Sequence, residues 1–166
     1  MNIDLLKRLW LFIILLLAQA LVLNHIHLFG YATPLLYIYF VSSFKRNYPK
    51  WALLVWSFIM GLSVDIFSNT PGVAATSMTL LALLQPYVLE LFMQRESDED
   101  IQPSIFTFGL MRYLYYTLLL TFIYCVVFFT VETFTFFNWL QWILSVAGSM
   151  LLSVVLIVVV DNLRKN

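Results

Sequence analysis

The sequence predicts an all-α integral membrane protein: one domain over residues 1–166, six transmembrane helices and both termini in the cytoplasm. Three observations carry that prediction. Hydrophobic residues make up 62% of the chain and charged residues only 11%, against roughly 25% charged in soluble domains. The nearly uncharged runs are too many and too long for one soluble core, so the bilayer is the solvent. Of the nine Lys and Arg residues, Arg112 lies early in the fifth run and the other eight lie before the first run, after the last, or in alternate gaps between runs, as the positive-inside tendency requires.

A helix needs ~20 apolar residues to cross the hydrocarbon, and the runs at 9–28, 29–44, 51–67, 73–93, 105–131 and 139–160 are read as spans on that basis. Hydrophobicity continues all round each run, which suits lipid-facing helices better than the alternating strands of a barrel. Lys7 and Arg8 precede the first run, and Ala18-Gln19-Ala20 within it resembles a signal-peptidase motif. The apolar run continues through Leu21, Val22 and Leu23, so an uncleaved first helix is expected. The second run is short, with Pro34 near its start, where a missing N–H costs little. A re-entrant second segment would export Lys45, Arg46, Lys50, Arg95, Arg164 and Lys165; a crossing keeps them inside. In the fourth run, Gln85-Pro86 predicts a kink.

Polar residues inside the membrane are costly, ~2.5–3.5 kcal/mol for a charge at the helix centre on insertion scales, so each needs a reason. Asp65 stands near the outer end of the third span. Ser57, Gly61 and Asp65 recur every four residues and share one helix face, small enough for a close neighbour. The turn that follows, with Pro71 and Gly72, brings the start of the fourth helix next to Asp65. Its free N–H groups and dipole favour an anion there. Asp65 therefore either orders this hairpin or contacts a partner helix or ligand. Gly72, Thr76, Thr79, Leu83, Pro86 and Glu90 form a stripe on the fourth span, and Ser145, Ser149 and Ser153 form one on the sixth. Both are read as packing faces, at least one of them open to a partner span. Glu90 and Arg112 sit at similar depth on the cytoplasmic side, where they either pair or Arg112 snorkels to the interface.

Several function classes find no support. Zero net charge gives no electrostatic case for nucleic acid. Cys125 has no disulfide partner in the chain. His25 and His27 fall short of a metal site without further ligands. No phosphate loop, zinc-protease motif or nucleophile elbow is present, so neither catalysis nor a cofactor is expected. The acidic run Glu96–Asp100 reads as a solvated loop or a dock for a basic partner. Trp10, Trp51, Trp139 and Trp142 fit interfacial belts.

The stretch GLSVDIFSNTPGVAATSMTLLALLQP resembles the signature hairpin of the rod-shape-determining membrane protein MreD family, carried here by Gly61, Leu62, Asp65 and Gly72. The resemblance is close over that hairpin and loose over the whole chain. It implies a bundle like the S component of energy-coupling-factor vitamin transporters. It also implies a non-enzymatic scaffold of the cell-elongation complex in the bacterial cytoplasmic membrane. The partners it implies are an MreC-like single-span protein, the MreB filament and the RodA–transpeptidase wall-synthesis pair. The alternative that the fold kinship implies is a vitamin-like small-molecule binder.

Overall fold

The computed structural model describes residues 2–23, 32–93, 101–134 and 138–164, and these are all-helical. In chain order they form α1 (Asn2–Leu21), α2 (Ile38–Ser42), α3 (Lys50–Ser68), α4 (Val73–Phe92), α5 (Ile105–Phe108), α6 (Leu110–Thr133) and α7 (Trp139–Arg164). Four of them, α3, α4, α6 and α7, are long and apolar enough to cross a membrane. α1 has 20 residues but opens with Asp4, Lys7 and Arg8, so only its later part is apolar.

The helix ends follow local chemistry. Pro49 precedes α3, and Asn69, in the left-handed region at φ 57°, ends it, with the Asn69 and Thr70 N–H groups donating back to the Asp65 carbonyl. Asn tolerates that conformation better than other side-chain-bearing residues. Gly72 follows at φ 85°, where a side chain would be strained, and α4 begins at the next residue. Ser104 caps α5 in a reciprocal capping box with Thr107, and Gly109 separates α5 from α6. The fifth expected span, 105–131, is thus two helices. The third, fourth and sixth match α3, α4 and α7 to within a few residues.

Packing runs α3 on α4, α4 on α6 and α6 on α7, with α1 against α3. The short α2 lies at the centre, against α1, α3, α4 and α6, and all five of its residues are buried. At Gly61 the helices come very close: a Cβ there would lie 2.5 Å from Ala75 Cα and 2.6 Å from the Ala74 carbonyl oxygen. The small-residue face of α3 exists to let α4 in.

The second expected span departs most from expectation. Residues 33–37 are not helical, and among the described residues of 29–44 only Ile38–Ser42 forms a helix. An apolar run longer than a strand reads as a helix. Here the run is buried on all sides by other helices, and non-helical backbone is tolerated at membrane depth when protein, not lipid, surrounds it. The first expected span also shifts, since α1 starts at Asn2 and residues 24–28 lie outside the described set.

Candidate functional site

Two polar constructions hold this bundle together, and each begins from a backbone problem. The first is at the α3–α4 turn. A helix start leaves N–H groups without partners, and an N-cap side chain ordinarily accepts from the second and third of them. The N-cap here is Gly72, which has no side chain. Asp65 takes over from the preceding helix: Oδ1 accepts from Ala74 N at 2.8 Å and Oδ2 from Ala75 N at 2.9 Å. Thr70 Oγ1 donates to Oδ1 at 3.0 Å. Asp65 is only 5% exposed, and these donors answer its charge without a cation.

The second construction surrounds the unwound segment 33–37. Extended backbone in a bundle needs partners for its amides, and side chains from distant helices supply them. Ser149 Oγ accepts from Thr33 N and Ser153 Oγ from Leu35 N, both at 3.0 Å. Gln19 donates to the Pro34 carbonyl at 3.0 Å and accepts from Leu36 N at 3.2 Å. At the far end of α2, Tyr116 OH donates to the Ser42 carbonyl, Gln102 to the Ser43 carbonyl and Gln85 to Tyr116 OH. Tyr37 and Tyr124 join hydroxyl to hydroxyl. Tyr39 OH donates to Asp161 Oδ1 and accepts from Arg164 Nη1, while Asp161 Oδ2 accepts from Ile105 N at 2.9 Å. Ser149, Ser153 and Asp161 follow one another along α7 in the same order as their partners Thr33, Leu35 and Tyr39. The segment runs alongside α7.

These contacts define two ends. Arg8 lies over Phe44 and Tyr48, Lys50 over Tyr87, and Arg164 beside Tyr39, so the described basic residues gather at one end. Asp65 and Glu132 mark the other. There a cavity of about 290 Å³ opens between Gln19, Thr33, Tyr37, Thr70, Phe128 and Glu132. At the basic end, a cavity of about 320 Å³ lies beside Asp161 and Arg164 and another of about 440 Å³ beside Arg8 and Lys45.

The expected site residues divide accordingly. Ser57, Gly61 and Asp65 do share a buried face, and that face meets α4. Pro71 and Gly72 form the exposed turn. On α4, Gly72, Thr76, Leu83 and Glu90 are exposed and Thr79 and Pro86 half-buried, so this stripe looks outward. Thr76 donates to the Gly72 carbonyl and Thr79 to the Ala75 carbonyl. Ser149 and Ser153 are wholly buried and Ser145 half-buried, so the α7 stripe serves the chain's own backbone. Glu90 and Arg112 are both exposed, and among the described residues no ion pair joins them. His25, His27 and the acidic run 96–100 lie outside the described residues.

Sequence reasoning missed Gln19, Gln85, Gln102, Tyr39 and Asp161. A signal existed for Gln19 and Gln85, since a neutral amide in a long apolar run is as unusual as the serines singled out. Asp161 offered none, because it stands close to Arg164 and Lys165 and looks like part of a solvated helix end. Comparison with protein families, characterised proteins and solved structures finds no match to this chain.

Proposed function

We propose that this protein is a non-enzymatic membrane scaffold of the bacterial cytoplasmic membrane, with six crossings, both termini inside, and a lipid-facing surface that seats a partner span. The MreD-like hairpin makes the cell-elongation complex the expected setting, with an MreC-like single-span protein as first partner and MreB and RodA behind it. The observation that carries the reading is the outward stripe of α4. Helices in lipid associate through close packing rather than a hydrophobic drive. Thr76 and Thr79 satisfy their hydroxyls within their own helix, so they offer a small surface with no polar group left needing a partner. The six-crossing topology draws on the basic end and on segment 33–44, which leads from the Asp65-end cavity to the ring stack under Arg8.

The test is co-purification of an MreC-like partner with Thr76→Leu and Thr79→Leu variants. Added bulk should abolish capture while the protein stays folded. Normal capture by both variants would remove the stripe from the interface.

One observation favours a second reading. The cavity at the Asp65 end gathers polar groups at a bundle mouth, as a small-molecule binder requires, although about 290 Å³ is at the small limit of ligand pockets, roughly 300–1,000 Å³. A vitamin-like compound retained through purification by a protein that captures no partner would select it.

A further inference from the structure

Arg8 is held in an unusual way. Its guanidinium carbon lies 4.4 Å from the Phe44 ring centre and 4.1 Å from that of Tyr48, and those two rings contact each other at 4.8 Å. The side chain is half-buried. Burial lowers the guanidinium pKa, and the nearby Tyr48 hydroxyl and Asp4 carboxylate oppose that; arginine keeps its charge in any case. Among the described residues, no hydrogen bond or ion pair takes up its N–H groups, so a fixed, charged fork of donors has nothing to bind.

That fork borders the cavity of about 440 Å³, with Lys45, Asn47 and Asp4 on other walls. Trp51, 72% exposed, and Leu5, 43% exposed, also line it. The place is where the apolar part of α1 begins, at the level where tryptophans sit in a membrane interface. Two cations and one carboxylate face the same space. A simple anion would satisfy the cations and be repelled by Asp4.

We propose that this cavity binds a phospholipid headgroup carrying both a phosphate and a primary ammonium, the chemistry of phosphatidylethanolamine. The phosphate accepts from Arg8 and Lys45, the ammonium donates to Asp4, and the acyl chains descend into the bilayer. Planar, bidentate donation to phosphate is what a preorganised arginine does best.

The test uses the full-length protein in mild detergent with short-chain phosphatidylethanolamine, phosphatidylglycerol, phosphatidylcholine or inorganic phosphate. Bound lipid is read by native mass spectrometry and by the shift in thermal midpoint. Phosphatidylethanolamine should bind about tenfold tighter than the other two lipids, since charge-assisted hydrogen bonds distinguish them. Lys45→Gln and Asp4→Asn, which leave the Arg8 ring stack intact, should each weaken it about tenfold without changing the lipid-free midpoint. Arg8→Gln should weaken it further. Equal binding of all three lipids, or no loss in either Lys45→Gln or Asp4→Asn, overturns the proposal. So does a preference for phosphatidylglycerol that Asp4→Asn strengthens, which would mark a plain anion site. Inorganic phosphate competing at equal affinity would show that the lipid contributes nothing.

Discussion

Asp65 does for α4 what a capping side chain does for most helices, because Gly72 has none to offer. The arrangement separates two jobs that one residue usually combines. Glycine makes the left-handed turn at φ 85°, and a carboxylate from the previous helix meets the amides. Removing it strands the Ala74 and Ala75 N–H groups, so Asp65→Ala should destabilise the protein by about 2–6 kcal/mol, at ~1–3 kcal/mol per buried unsatisfied group. Unfolding in detergent measures this. Full stability combined with loss of a partner or ligand would show that the carboxylate acts outside the hairpin. Gly61→Ala tests the same contact from the other side. A Cβ 2.5 Å from Ala75 Cα meets backbone, which cannot swing away, and overpacking of this kind costs about 1–3 kcal/mol. Asp65 was legible in the sequence because the turn chemistry on one side and the Ser57–Gly61 face on the other both pointed at it. Asp161, which meets Ile105 N in a related way, was not, because its partner lies far away in the chain.

At the scale of elements, the unwound segment separates composition from conformation. Residues 29–44 are apolar enough to be read as a helix, and hydrophobicity does report the burial of residues 34–44 correctly. It does not report backbone shape, which here depends on Gln19, Ser149 and Ser153 reaching the amides of Thr33, Leu35 and Leu36. Those partners are too distant in sequence for any local pattern to reveal. α3, α4 and α7 were legible because each is an uninterrupted apolar run with turn residues or charges at its limits. The serine stripe of α7 was visible as a packing face, but what it packs against was not, since small polar residues every four positions look the same whether they meet a partner helix or their own chain. Ser149→Ala and Ser153→Ala should each cost about 1–3 kcal/mol by orphaning a buried N–H. Ser145→Ala should stay within about 0.5 kcal/mol, as substitutions away from such features do. Amide hydrogen exchange at Thr33 and Leu35 would locate the loss. Equal, negligible effects at all three serines would mean that these bonds do not hold the segment.

At the scale of the whole molecule, four helices among the described residues are long and apolar enough to span, and the proposed topology adds crossings by α1 and by segment 33–44. If both cross, as proposed, reporter fusions at Asn69, Glu99 and Asn138 should read outside, inside and outside. An outside signal at Glu99 would sink that topology.

The dependence of segment 33–37 on α7 also has a consequence in time. The chain is synthesised from its N-terminus, so the segment emerges long before Ser149 and Ser153 exist. Until the last helix arrives, its amides cannot rest in lipid without partners, at several kcal/mol for each group left unsatisfied. The nascent protein must therefore keep this stretch in water, in the insertion machinery, or in a temporary helix that later unwinds. Only with the final helix in place can the Thr33 and Leu35 amides make the bonds they hold in the native bundle.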